Sequence, residues 1–191
     1  MSFSTGSAWS ASELVTRADK VPSVWAWGGR WSPLVSSDDA GGSYSILEQT
    51  MPAQAGPPPH VHEHNDEVFY ILDGEVRLQI DHDVAIGTAG DLVRIPRGVP
   101  HGFAVKSDTA RFLNLYVPGA LDVVISALGT PAAGPGLPAD GTEQSPSPEQ
   151  VAALGRRLEE LAAQKWTGQQ DLLAAFRPAS GGLGVSGPDG R

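Results

Sequence analysis

The sequence predicts one all-β domain, a β-sandwich or barrel, and three observations support this fold class. The chain has 191 residues, which is enough for one ordinary domain with additional arms. It contains 23 Gly and 16 Pro, a composition that favours many turns over long helices. Short apolar runs in the middle of the chain are separated by turn residues at intervals of roughly 8 to 12 positions, which is typical of sandwiches and barrels.

The N-terminal part is predicted to be an arm followed by an aromatic stretch. Residues 1–22 are rich in Ser and Ala and show no period, so we expect a partly disordered arm. Trp25, Trp27 and Trp31 then share one parity in an extended segment, so their rings either cover the barrel or line its mouth. The next strand is expected at residues 44–51.

The central segment is predicted to be a series of short strands. Asp73-Gly74 separates the apolar runs 67–72 and 75–80 and predicts a hairpin, because a type I′ turn needs positive φ at both central positions. We therefore expect the first of these strands to fold back on the second. Further strands are expected at residues 84–86, at 92–95, around Phe103 and at 110–116.

The C-terminal third is predicted to contain two helices, joined by a linker and followed by a tail. We expect the barrel to span residues 23–118, and residues 119–146 to contain a short helix and a Pro/Gly linker. The run Ser147-Pro-Glu-Gln150 has the N-cap, first-turn proline and Gln of a capping box. It predicts an amphipathic helix over residues 147–166, packed on the barrel or on a second subunit. Residues 167–191 are expected to be a tail.

The histidines predict a metal site. Four of the five lie in two short stretches, one of which also contains acidic residues. His60 and His62 are two positions apart, so on a strand both imidazoles face the same side and can reach one ion. Glu67 begins the following strand, and His101 would arrive from another strand. Since the chain has no Cys, only His, carboxylates and water are available as metal ligands.

These two stretches resemble the two signature motifs of the cupin family. The residues that match the motifs are His60, His62, Glu67 and Gly74 in the first, and Gly90, Pro96, Gly98 and His101 in the second. Within the family, the surrounding residues look like the bacterial quercetin-dioxygenase-like cupins with a single domain. The resemblance covers roughly residues 40–138. It implies a jelly-roll β-barrel, here with an N-terminal arm and a C-terminal helical extension, and a metal bound by His60, His62, Glu67 and His101.

The resemblance further implies a metal-dependent dioxygenase, an oxidoreductase, for flavonol, aromatic or enolic substrates. One divalent transition metal ion is expected, with Fe, Ni, Mn, Co, Cu and Zn all compatible with nitrogen and oxygen donors. A six-coordinate ion would leave two positions for water, substrate or dioxygen. Glu67 would have a second, catalytic role as a base. The alternatives are a cupin without oxygen chemistry, such as an isomerase, lyase, cyclase or small-molecule-binding protein, and a vestigial or purely stabilising metal site.

Three more residues are candidates for the pocket beside the metal. Phe69 and Phe103 share parity with Glu67 and His101 respectively, so they either line the pocket or pack in the core. His64 shares parity with the histidine pair, although simple exposure is the favoured interpretation.

Charge and hydropathy argue against nucleic acids and membranes as binding partners. The net charge of −9 argues against nucleic acid, whose phosphates would repel such a surface. The sequence shows neither a secretory leader pattern nor an apolar run of about 20 residues, so no membrane partner is expected and the predicted location is cytoplasmic. We expect a homodimer that acts on a small molecule.

Overall fold

Ten strands and one helix make up the part of the chain that the structure describes. The structure, a computed structural model, describes residues 14–57, 59–62 and 64–139, together with the single residues 10, 12 and 149. The predicted helix over 147–166 and the predicted tail lie outside the described residues, apart from residue 149. Most of the first 13 residues of the predicted arm also lie outside them.

The strands follow the predicted order along the chain. Their bounds are β1 Val24–Ala26, β2 Gly29–Val35, β3 Ser45–Pro52, β4 Asp66–Asp73, β5 Glu75–Ile80, β6 Asp83–Thr88, β7 Leu92–Ile95, β8 His101–Val105, β9 Thr109–Val117 and β10 Thr130–Pro131. Helix α1, Leu121–Leu128, lies between β9 and β10, within the segment where a short helix was predicted. Strand β10 was not predicted; it pairs with β1.

All strand pairs are antiparallel and form two sheets. The larger sheet has the order β10-β1-β2-β3-β9-β4-β7, and the smaller one has the order β6-β5-β8. This arrangement is a double-sheet jelly roll, so the predicted all-β fold class is confirmed. In the part of the chain that the structure describes, no helix is long and apolar enough to cross a membrane.

The main hydrophobic core lies between the two sheets. Strand β3 has the pattern expected of a strand with one face on this core, because its residues alternate between buried and half-buried positions. The buried side chains of this core come from both sheets and are Met51, Phe69, Ile71, Val76, Leu78, Ile95, Phe103, Val105, Ala110 and Phe112. A second cluster packs α1 against the larger sheet through Leu121, Val124 and Ile125.

The predicted hairpin at Asp73-Gly74 is wrong. Strand β4 pairs with β7 and β9, whereas β5 pairs with β6 and β8, so the chain crosses from one sheet to the other at Gly74. Gly74 has a positive φ of 86°, but Asp73 does not have a positive φ, so the two residues do not form a type I′ turn. A Cβ at Gly74 would lie 2.5 Å from the backbone oxygen of Thr109. Glycine is needed here because the crossing chain passes directly over β9.

This close approach predicts that Gly74→Ala destabilises the domain more than Gly90→Ala. Both glycines have positive φ, at 86° and 94°, so alanine pays about 1–2 kcal/mol for the left-handed conformation at either position. Only Gly74 also has backbone atoms in the way, since nothing lies within 4 Å of a Cβ at Gly90. In urea unfolding we expect Gly74→Ala to lose at least about 1 kcal/mol more than Gly90→Ala. Equal losses would contradict a steric role for Gly74.

Two consecutive residues with positive φ occur instead in the first hairpin of the domain, between β1 and β2. Trp27 and Gly28 join β1 to β2 with φ values of 52° and 78°, as a two-residue type I′ loop requires. The ring of Trp27 stands edge-on to the buried ring of Trp31, with centroids 5.8 Å apart. Trp25 points elsewhere, and its Nε1 donates a hydrogen bond to the Gly136 carbonyl.

Candidate metal centre

The two histidine stretches are tied together by backbone hydrogen bonds. His60 and His101 form an antiparallel bridge in which each backbone N–H donates to the carbonyl of the other at 2.8 Å. The backbone N–H of Gly98 donates to the His62 carbonyl, also at 2.8 Å. The Pro96-Arg97-Gly98 turn therefore holds the segment that contains His62. His60 is in this bridge and His62 is in a loop rather than a regular strand, yet both rings face the same centre.

Four donor groups converge at this centre. One ligand atom each from His60, His62, Glu67 and His101 lies within 4.8 Å of the others, so the cluster could hold a metal ion. The Nε2 atoms of His60 and His62 are 3.2 Å apart. One Glu67 oxygen, Oε2, lies 2.9 Å from His101 Nε2 and 3.1 Å from His62 Nε2. All four side chains are buried, with at most 4% exposed.

Hydrogen bonding at His101 favours the tautomer that a metal needs. The Nδ1 atom of this ring lies 2.9 Å from the carbonyl oxygen of Val99, which can only accept, so Nδ1 carries the proton. The Nε2 lone pair of the neutral ring then faces the cluster. Backbone carbonyls orient metal-binding histidines in this way in many proteins.

Burial and neighbouring charges shift the pKa values at this centre. Burial raises the pKa of the Glu67 carboxyl, but hydrogen bonds and charge from His101 and His62 outweigh it, and the net pKa lies well below the ordinary value. Burial lowers the pKa of His101, whereas the Glu67 carboxylate and the Val99 carbonyl together raise it by more, so the net shift is upward. The carboxylate is therefore ionised at every physiological pH and attracts cations to the three rings.

A mostly apolar cavity of about 200 Å³ opens onto the cluster. His60, His62 and Glu67 form part of its wall. The other lining residues are Trp27, Trp31, Pro57, Phe103, Asn114, Tyr116, Leu121 and Ile125. Trp27 and Trp31 thus fit the second alternative, in which the rings line the mouth, whereas Trp25 is not among the lining residues. Helix α1 contributes Leu121 and Ile125. A ligand in this cavity would contact the cluster in largely apolar surroundings.

The remaining predicted pocket residues are divided between wall and core. Phe103 lines the cavity, whereas Phe69 packs behind it with ring centroids 5.5 Å apart and belongs to the core between the sheets. The structure therefore supports the core alternative for Phe69. His64 is half-buried and is not among the residues that line the cavity.

Three polar residues of the interior were missed from the sequence. Asn114 and Tyr116 on β9 line the cavity, and Asn114 Nδ2 donates to Gln49 Oε1 on β3 at 2.8 Å. All three side chains are at most 2% exposed. One sequence signal could have found them: Asn114 shares parity with Phe112 and Tyr116 in an apolar strand, so a polar amide falls on the inward face.

Comparisons with known proteins agree with this architecture. A family model described as Cupin domain matches residues 47–116, which include all four residues of the cluster. The quercetin 2,3-dioxygenase of Bacillus subtilis is 31% identical over 74 residues. These residues are 39% of this chain and 22% of that protein, so this chain spans about a fifth of the length of the curated relative.

Solved structures resemble the fold at low sequence identity. A protein described as a predicted oxalate decarboxylase from Thermotoga maritima is 20% identical, with a TM-score of 0.50, and the match covers 55% of this chain and 98% of that one. An RmlC-like cupin from Shewanella frigidimarina is 18% identical, also with a TM-score of 0.50, over 56% of this chain and 92% of that one. At these identities the likeness concerns the fold alone. Together with the family match over residues 47–116 and the jelly-roll topology, it shows that this part of the chain has the fold of a cupin domain.

Proposed function

We propose that His60, His62, Glu67 and His101 bind one divalent transition metal ion, and that the protein is a metal-dependent dioxygenase of small aromatic or enolic molecules. The observation that carries this proposal is the position of the cluster in the wall of an apolar cavity. A purely stabilising site would need no such space. The donor set of three imidazoles and one carboxylate fits Fe, Ni, Mn, Co, Cu and Zn.

The charges of the cluster also fit a metal ion. A buried carboxylate is costly unless cations or donors compensate it. Glu67 is 3% exposed, and its neighbours at the centre are imidazoles that are neutral when they act as ligands. A divalent ion would supply the missing positive charge. Once bound, such an ion polarises a substrate oxygen and provides open positions for further ligands.

The chain itself would bind the substrate and move its proton. The apolar walls formed by Trp31, Phe103 and Ile125 would exclude water around a planar ring. The Glu67 carboxylate lines the cavity, so its oxygen lies where it could accept the proton of a bound enol or phenol hydroxyl. The similarity to the Bacillus subtilis quercetin 2,3-dioxygenase, which extends over 39% of this chain, makes oxygen chemistry the first reaction to test.

Elemental analysis of the purified protein, followed by oxygen-electrode assays, tests this function. The protein is loaded separately with Fe, Ni, Mn, Co, Cu and Zn and offered flavonols, simple phenols and enols. We expect about one metal per chain, and oxygen uptake in proportion to substrate with at least one metal. Absence of oxygen uptake with every metal would reject the dioxygenase and favour an isomerase, lyase, cyclase or binding protein.

The raised pKa of His101 predicts that acid displaces the metal. The neutral ring is the ligand, so a proton on Nε2 competes with the ion, and the ring of the metal-free protein keeps that proton to a pH above the ordinary imidazole value near 6.5. Glu67 stays ionised over the same range because its pKa is lowered. Below about pH 6.5 we expect the apparent zinc affinity to fall at least roughly tenfold per pH unit.

Zinc titrations between pH 5 and pH 8 measure this dependence. His82→Ala is the matched control, because that ring is 96% exposed and lies outside the cluster. The control should show the same pH profile as the parent. An affinity that stays constant from pH 8 down to pH 5 would contradict imidazole ligation.

A further inference from the structure

The hydrogen bonds of the buried amides have a defined direction. Asn114 Nδ2 donates one hydrogen to Gln49 Oε1, at an N···O distance of 2.8 Å, and the other to the Tyr116 hydroxyl oxygen, at 3.3 Å. An amide nitrogen only donates, so Tyr116 accepts this bond and keeps its own proton. Tyr116 on β9 lies directly opposite Glu67 on β4. The chain of bonds therefore runs from Gln49 through Asn114 to Tyr116, next to the cluster.

Asn114 retains one unused polar atom. Its Oδ1 is buried and has no hydrogen-bond partner in the part of the chain that the structure describes. Buried polar atoms in folded proteins nearly always have a partner. Asn114 also lines the cavity, so its side chain borders the space that a ligand would occupy.

The strand register sets the distance between the two polar ends of the cavity. Glu67 on β4 is directly opposite Tyr116 on β9, and Asn114 lies two residues further along β9, on the same face. Residues i and i+2 of a strand are about 7 Å apart. A six-membered ring with polar groups at two separated positions bridges such a gap. The volume of about 200 Å³ lies below the range of roughly 300–1,000 Å³ found for drug-sized ligands.

We propose that Asn114 is a specificity-determining residue and that the ligand is a single-ring phenol or enol with a second hydroxyl or N–H group, which donates to Asn114 Oδ1. This inference rests on the proposed function, which places the first hydroxyl toward His60, His62, Glu67 and His101. Apolar walls would hold the ring between the two polar ends. A three-ring flavonol would exceed the cavity.

Binding measurements test the inference without turnover. Calorimetry is performed under anaerobic conditions on zinc-loaded and on metal-free protein, with benzene-1,3-diol, benzene-1,4-diol, their monomethyl ethers, phenol and quercetin. The ethers keep an oxygen acceptor at the second position but lose its donor. We expect at least one diol to bind about three- to tenfold more tightly than its ether, the effect of one hydrogen bond.

Two variants test whether Asn114 is the residue that distinguishes the diol from its ether. In Asn114→Leu, which keeps a similar side-chain size without the acceptor, the ratio of diol to ether affinity should fall to about one. Phe103→Leu is the matched control: it removes apolar contact from the same cavity, so all affinities should fall while the ratio is retained. The comparison of diol with ether in the parent needs no variant and remains valid if Asn114→Leu does not fold.

The outcomes separate this inference from the proposed function. A diol-to-ether ratio near one in the parent, no saturable binding of either diol, or a ratio unchanged in Asn114→Leu would overturn the role of Asn114. Tighter binding of quercetin than of both diols would overturn the single-ring limit. Failure of every oxygen-uptake assay would instead reject the dioxygenase and leave these binding ratios unaffected.

Discussion

Replacement of His101 by alanine is expected to remove stoichiometric metal from the protein while the β-domain stays folded. The Nε2 atom of this residue lies 2.9 Å from Glu67 Oε2, and its tautomer is set by Val99. Loss of a residue that merely orients a ligand typically costs 10- to 100-fold in metal affinity, so loss of the ligand should cost more than about 100-fold. His62→Ala should have the same effect.

The domain should survive because its stability does not depend on the metal. The core between the sheets and the cluster under α1 are built from buried hydrophobic side chains, and none of the four donors belongs to either. A domain of about 100 residues buries enough apolar surface to fold alone, unlike a zinc finger. Metal content by mass spectrometry and thermal unfolding by circular dichroism measure the two effects. His82→Ala again serves as control, and parental metal content in His101→Ala would show that the ligand set is wrong.

Glu67→Gln is expected to lower turnover by roughly 10²-fold or more, with a much smaller effect on metal content. Glutamine keeps the size of the side chain, but it has no basicity. Three imidazoles suffice to hold a transition metal. If Glu67 takes the substrate proton, the variant should lose kcat while it still binds metal and the phenol or diol ligand.

The measurement is kcat together with metal content on the same preparation, once a substrate has been found. Glu75→Gln is a suitable control, because Glu75 forms a surface ion pair with Lys106 on the smaller sheet and lies outside the cavity. The control should keep both quantities. Near-parental turnover in Glu67→Gln would reject this carboxylate as the base. Parallel loss of metal and turnover would instead make Glu67 chiefly a ligand.

Local patterns in the sequence were sufficient for most of the strands and the short helix, and they singled out four candidate donor residues. Strand β3 was recognised from its alternating residues, which match the period of two of a strand, and β7 from its short apolar run between turn residues. Both signals depend only on residues that are close together in the sequence. The pair His60-x-His62 and the later Glu67 and His101 stand out by residue type and spacing. Their convergence within 4.8 Å agrees with the motif spacing.

Pairing between distant strands could not be deduced in the same way. The step from β4 to β5 has the residues of a hairpin, yet the two strands belong to different sheets because each finds its partners elsewhere in the chain. Asp73-Gly74 determines a local bend only. The type I′ geometry expected there occurs at Trp27-Gly28, where no such turn was predicted.

By itself, the sequence determined an all-β domain that resembles the cupins, with a candidate centre of His60, His62, Glu67 and His101. Only the tertiary structure decided that Tyr116 lies opposite Glu67, that Asn114 joins Gln49 inside the barrel, and that Trp31 and α1 enclose the cavity. The physical reason is the range of the interactions. Turns and alternation arise between neighbouring residues, whereas a cavity wall and its open hydrogen-bond acceptor depend on the register of strands that are far apart in the chain.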